Sequence, residues 1–97
     1  MQSGYQQDKP LGYVQIPSFS GVVSLANYIP PGINPTLILI QAEGAAVRWR
    51  DDGTAPTAAV GVPLAIGAEL RYTAKAPNLQ FIPQSGSAIL NLAFYGN

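Results

Sequence analysis

The run Val47-Arg48-Trp49-Arg50-Asp51-Asp52 gathers four of the charged side chains of a chain that has only five basic and five acidic residues, and it surrounds the single tryptophan. With no histidine and no cysteine, imidazole acid–base chemistry, Ser-His and Cys-His nucleophile pairs, and thiolate or imidazole metal ligands are all removed. Carboxylates remain. Asp51 and Asp52 would serve as a glycosidase pair or an oxygen-ligand cation site only if Glu43 and Glu69 converged on them in space. Their place directly before Gly53 has a simpler account: Asx side chains bond nearby backbone in turns, and glycine takes the left-handed conformation that a tight turn needs. No glycine-rich turn leads into a helix, so no phosphate loop is present. The reading is a non-enzyme, with no catalytic, cofactor-binding or metal-ligating residues.

The basic residues point instead to contacts. In a strand, Val47 and Trp49 face one way and Arg48 and Arg50 the other. Arg71 is expected on the outer face of a neighbouring strand, with Glu43, Glu69, Asp51 and Asp52 as the acids within reach. Such charges pair either across strands or across a subunit boundary. An exposed intramolecular pair contributes no more than about 1 kcal/mol, whereas an arginine fork at an interface fixes register and partner choice. The expected interface residues are Arg48, Arg50, Asp51, Asp52 and Arg71, with Tyr5 and Tyr13. Trp49 is read as core; the alternative is a stacking platform for a sugar or a partner's side chain.

The elements that position these residues are short. Nine prolines and ten glycines recur along 97 residues, and no stretch long enough for a stable helix escapes them. Residues 1–13 form a polar extended arm and residues 14–97 one β-sandwich domain. Val14–Ile16 and Gly21–Leu25 read as the first strands, interrupted by Pro17, and Leu37–Ala42 as an apolar strand covered on both faces. "AAVRWR", "ELRYT", "LQFI" and "AILNLAFY" alternate with the period of a half-buried strand. The expected core is Leu37, Leu39, Val47, Trp49, Leu70, Tyr72, Phe81, Leu90, Leu92 and Phe94. About eight such strands make an all-β, antiparallel sandwich or jelly roll.

Charged residues are 10% of the chain and cancel to zero, against about 25% in a typical soluble domain. That balance is expected of a surface covered in an assembly, or of a neutral Ser/Gln/Asn/Thr surface on a monomer. Five scattered cations do not make a nucleic-acid footprint. The polar N-terminus is not a signal peptide, and Leu37–Ile40, the longest aliphatic run, is far below the roughly 20 residues of a membrane helix. Neither nucleic acid nor membrane is expected as a partner.

The stretch "IQAEGAAVRWRDDGTAPTAAVGVPLAIGAELRYT", with "LQFI" and "LNLAFY", resembles a family of small proteins encoded in the structural gene clusters of tailed bacteriophages and prophages. The resemblance covers Ile40 to Tyr95, and its most specific part is Arg48-Trp-Arg-Asp-Asp-Gly53, followed by Pro56-Thr57, Gly61 and Pro63-Leu64. It implies a virion-associated structural protein, assembled in the host bacterial cytoplasm, and brings no catalytic motif or cofactor. The leading expectation is a capsid decoration, or cement, protein that contacts the major capsid protein and itself as a homo-oligomer, a trimer preferred. The alternative is a tail-tip, fibre or baseplate component that binds host-surface glycan beside Trp49.

Overall fold

Eight short segments form strands in a computed structural model, which describes residues 9–73 and 78–96. In chain order they are β1 (Lys9–Phe19), β2 (Val23–Ser24), β3 (Leu37–Glu43), β4 (Val47–Arg50), β5 (Val62–Leu64), β6 (Glu69–Tyr72), β7 (Gln80–Pro83) and β8 (Ala88–Gly96). A one-turn 3-10 helix, Leu25–Tyr28, follows β2. One four-stranded sheet has the order β1-β8-β3-β6, the other β2-β7-β4-β5. All neighbouring strands are antiparallel, so the architecture is all-β and sandwich-like.

Burial of the alternate face of β8 sets the first sheet. Ala88, Leu90, Leu92 and Phe94 point inward, paired with β1 on one side and β3 on the other. They meet Ile16, Ile38, Ile40 and Tyr72 from their own sheet and Val47, Leu64 and Phe81 from the second, all in one apolar cluster. Leu25 and Leu79, both fully buried, join it from just outside the strands. No polar or charged side chain among the described residues is buried.

Several expected placements change. In β3 the inward residues are Ile38, Ile40 and Ala42, whereas Leu39 is partly exposed on the outer face. Leu37 is covered, at 8% exposure, but lies on that same outer face and outside the central cluster. Leu37 to Ile40 alone carries no parity; Gln41 and Glu43, on the face of Leu37 and Leu39, turn that face outward, and pairing of Ile40 with Leu92 and Ile38 with Phe94 buries the other. Val47, Tyr72, Phe81, Leu90, Leu92 and Phe94 are buried as expected, and Leu70 and Trp49 are partly buried against the cluster. Pro17 does not end β1, because three steps from Ile16 to Phe19 oppose two from Leu90 to Ala88. The extra residue is a bulge, where a missing N–H costs the ladder nothing. The expected arm, residues 1–13, is shortened: Lys9 to Tyr13 already pair with β8. Residues 1–8, Tyr5 among them, lie outside the described residues.

Phe94→Ala is expected to lower unfolding stability by about 3–5 kcal/mol, the usual cost of deleting a fully buried phenyl ring. The control Val22→Ala, at a position 45% exposed, should change it by less than about 0.5 kcal/mol. Urea or guanidinium unfolding midpoints of the two variants measure this difference.

Candidate functional site

The charged run lies at the end of β4 and opens the loop, residues 51–61, that leads to β5. Arg48 points outward and bends over this loop: its Nε donates to the Ala58 carbonyl at 3.1 Å and its Nη1 to the Gly61 carbonyl at 2.8 Å. In the same loop, Thr57 and Val60 exchange backbone hydrogen bonds of 2.8 and 3.2 Å. Thr57 Oγ1 also accepts from the Val60 amide at 2.9 Å. Gly61 lets the loop return close to β4. A Cβ there would stand 3.1 Å from Arg48 Cβ and 3.2 Å from both the Trp49 carbonyl and Pro56 Cβ, at a φ of +141°. No larger residue is accommodated without displacement.

Arg50 and Asp52 form a two-pronged pair two residues apart, with Nε to Oδ1 at 3.0 Å and Nη2 to Oδ2 closing the fork. Oδ1 of Asp52 also accepts from the Thr54 amide at 3.3 Å, and Gly53 takes φ +86°, which is the turn expected of Asp-Asp-Gly. Asp51 reaches across to the other sheet, where Oδ2 accepts from the Tyr72 hydroxyl at 2.7 Å. Tyr72 in turn packs edge-on to Trp49, with ring centroids 6.3 Å apart at 82°. Trp49 thus has the inward orientation expected of core, but it stands at the open end of the sandwich and is only partly buried.

An open groove of about 470 Å³ results, lined by Trp49, Arg50, Asp51, Asp52, Val60, Gly61 and Val62. It offers an indole, two exposed valines and two positioned carboxylates, a set that can stack and hydrogen-bond a polar ligand. The Arg50 fork holds the Asp52 carboxyl below the usual carboxylate range, the wrong direction for a general acid at neutral pH. The two glutamates do not converge here. Glu43 accepts from Asn91 Nδ2 on the outer face of the first sheet, and Glu69 lies on that face beside Gln41. No group of three or more Asp, Glu, His or Cys side chains among the described residues could hold a metal ion. No helix of the described residues is long and apolar enough to cross a membrane.

Arg71 is not beside Arg48 and Arg50. They belong to β4 of one sheet, and Arg71 to β6 of the other, on its outer face in register with Leu39. The expected cross-strand pairing is therefore replaced by a local Arg50–Asp52 pair and by an Arg48 fork on carbonyls. Tyr13, 60% exposed, lies on the same outer face as Arg71 and donates to Asn91 Oδ1. Sequence reasoning missed a shallow hollow of about 180 Å³ there, lined by Tyr13, Leu39, Gln41, Glu69, Asn91 and Ala93. The one available signal was a small alanine among larger residues on the second face of "AILNLAFY". In comparisons with known proteins, no family model, no curated protein and no solved structure matches this chain.

Arg48→Ala is expected to destabilise the protein by about 1–2 kcal/mol, the scale of charged hydrogen bonds to backbone that are only partly shielded from water. It should also speed amide exchange across 57–61. Arg48→Lys should not restore protection, because an ammonium cannot span both carbonyls as a fork.

Burial, reinforced by the bond to Asp51, pushes the Tyr72 hydroxyl from its ordinary value of 10 up to about 12. The unfolded chain loses this proton first, so the stabilisation is complete below pH 10 and is lost as pH rises through about 12. Denaturation measured from pH 8 to 12 should show that loss in the native sequence and a shallower one in Tyr72→Phe.

Proposed function

We propose that this chain is a non-enzymatic structural protein of a tailed-bacteriophage virion, built as a jelly roll and serving as a capsid decoration or cement protein. The jelly-roll reading is supported by the pairing of β1 with β8, β2 with β7, β3 with β6 and β4 with β5. A long hairpin folded over twice produces that set, and the two sheets then take the orders observed. The observation that carries the structural role is the use of the charged run. Arg48, Arg50, Asp51 and Asp52 all bond within the chain and fix a loop, and Asp52 is tuned away from acid catalysis. What the molecule offers outward is shape and weakly charged surface. Jelly rolls host unrelated functions, so the virion assignment rests on the resemblance of Ile40 to Tyr95, with its Arg48-to-Gly53 run, to phage structural proteins.

Cement action needs no chemistry. Contacts that are individually weak, made to the major capsid protein and between neighbouring copies, stabilise a shell when repeated over its surface. A second reading, a tail-tip, fibre or baseplate module that binds glycan, is favoured by one feature: the groove that sets Trp49 beside Asp51 and Asp52.

Quantitative mass spectrometry of purified particles separates the two. Cement function predicts a ratio to the major capsid protein near one, or a simple fraction of it. A few copies per particle would move the chain to the tail, and absence from the particle would exclude both readings.

A further inference from the structure

We propose that two copies of this chain pair face to face through the outer surface of the β1-β8-β3-β6 sheet, about a two-fold axis that runs along the strands between β8 and β3. The inference goes beyond the virion assignment and does not rest on it. It replaces the trimer expected from sequence with a symmetric pair.

Strand register arranges the outward side chains of this sheet in rows. One row is polar: Gln15, Asn91, Gln41 and Glu69. The next is Tyr13, Ala93, Leu39 and Arg71, and beyond it stand Tyr95 and Leu37. Polar and apolar residues are thus segregated along the strands, while size and charge vary across them. A two-fold axis along the strands keeps each row over its own copy and reverses its order. Leu39 of one copy then enters the hollow over the other copy's Ala93, which is bounded by Tyr13 and Leu39. Arg71 comes over the exposed face of Tyr13, a cation–π contact, and Glu69 over Gln15. No like charges in these rows oppose each other.

The other face-to-face two-fold, with its axis across the strands, would set Glu69 against Arg71 of the second copy. It would also lay the amide row of one copy on the apolar row of the other. Burying amides without partners costs more than an exposed ion pair returns, which decides for the first arrangement.

Association by sheet edges is opposed by the sequence of each edge strand. β1 carries Pro10 and Pro17, β5 carries Pro63, β2 is two residues long, and β6 is four residues with Glu69 and Arg71. Prolines, charges and short length are the usual means of blocking edge pairing. The broad face also carries Glu69 and Arg71, with Glu43 beyond them, but the two-fold along the strands sets none of these against a like charge.

Strands about 4.8 Å apart, with β1, β8 and β3 opposed over about seven residues and β6 over its four, at about 3.4 Å per residue, give a face of roughly 400 Å² in plan. That is below the roughly 800 Å² per partner of a standard interface. The pair is therefore a weak, transient one.

The experiment uses the full chain at concentrations from about 5 to about 500 µM, with mass measured by light scattering or sedimentation. The expected result is a rise from the 10.2 kDa chain mass toward twice that value. Leu39→Asp and Tyr13→Ser should each raise the dissociation constant at least tenfold; Tyr13 is exposed, so its variant keeps the test valid if Leu39→Asp does not fold. Ile82→Asp, on the outer face of the second sheet, should leave association unchanged. The chain has no cysteine, so engineered thiols report contacts cleanly. Leu39→Cys mixed with Ala93→Cys should cross-link faster than either alone. A constant chain mass across the range would overturn the pairing, as would dissociation by Ile82→Asp. Cross-linking no faster in the mixture than in the separate samples would overturn this axis.

Discussion

One strand with strict alternation organises the molecule. β8 places Ala88, Leu90, Leu92 and Phe94 on one face and lies between β1 and β3, so the register of three strands follows from the side that this face takes. A slip by one residue would send the whole apolar set outward, and a chain this small has no second core to compensate. The second sheet supplies the other half of the core through Val47, Leu64 and Phe81, with Leu25 and Leu79 closing it at the side. Everything near Trp49 hangs from that arrangement. β4 is held by β7 and β5, and its last residues emerge at the open end, where Tyr72 arrives from the opposite sheet.

Where hydrophobic residues alternate with polar ones, the sequence was readable down to individual faces. β6, β7 and β8 bury the residues that alternation assigns them, and Val47 and Trp49 have the inward orientation read for them. Elsewhere a short run was not enough. Leu37 to Ile40 is apolar without a break, and the faces are marked only by Gln41 and Glu43 beyond it, which stand on the side of Leu37 and Leu39; pairing with β8 buries Ile38 and Ile40 accordingly. Pro17 reads as a strand breaker, yet a bulge absorbs it; bulges depend on the partner strand. Lys9 to Tyr13 look like an arm because Pro10 and Gly12 are poor strand residues, and only the length of β8 shows that they have a partner.

The charged run illustrates a different limit. Residue order predicted the Asp-Asp-Gly turn, which exists, whereas the cross-strand ion pairs expected from residue types give way to one local pair, Arg50 with Asp52. The choice of partners was not legible. Arg48 is satisfied by two backbone carbonyls, which leave no trace in composition, and Arg71 was assigned to the same region only because sheet membership cannot be read from a single strand. Asp51 finds Tyr72 because the two sheets approach at the open end, a consequence of topology.

These internal bonds bear on what the groove can do. A loop that folds only on meeting its partner needs few native contacts and loses conformational entropy on binding. Residues 51–61 are held instead by the Arg48 fork, the Thr57–Val60 turn, the Arg50–Asp52 pair, and a glycine that lets the chain lie against β4. The groove walls beside Trp49 are therefore set before any ligand arrives, and little binding energy goes into ordering them. This surface lies at one end of the sandwich, whereas the Tyr13–Arg71 row covers the outer face of one sheet. A molecule that pairs with its own copy through that face keeps the groove open, so self-association and attachment to a different partner do not compete for the same residues.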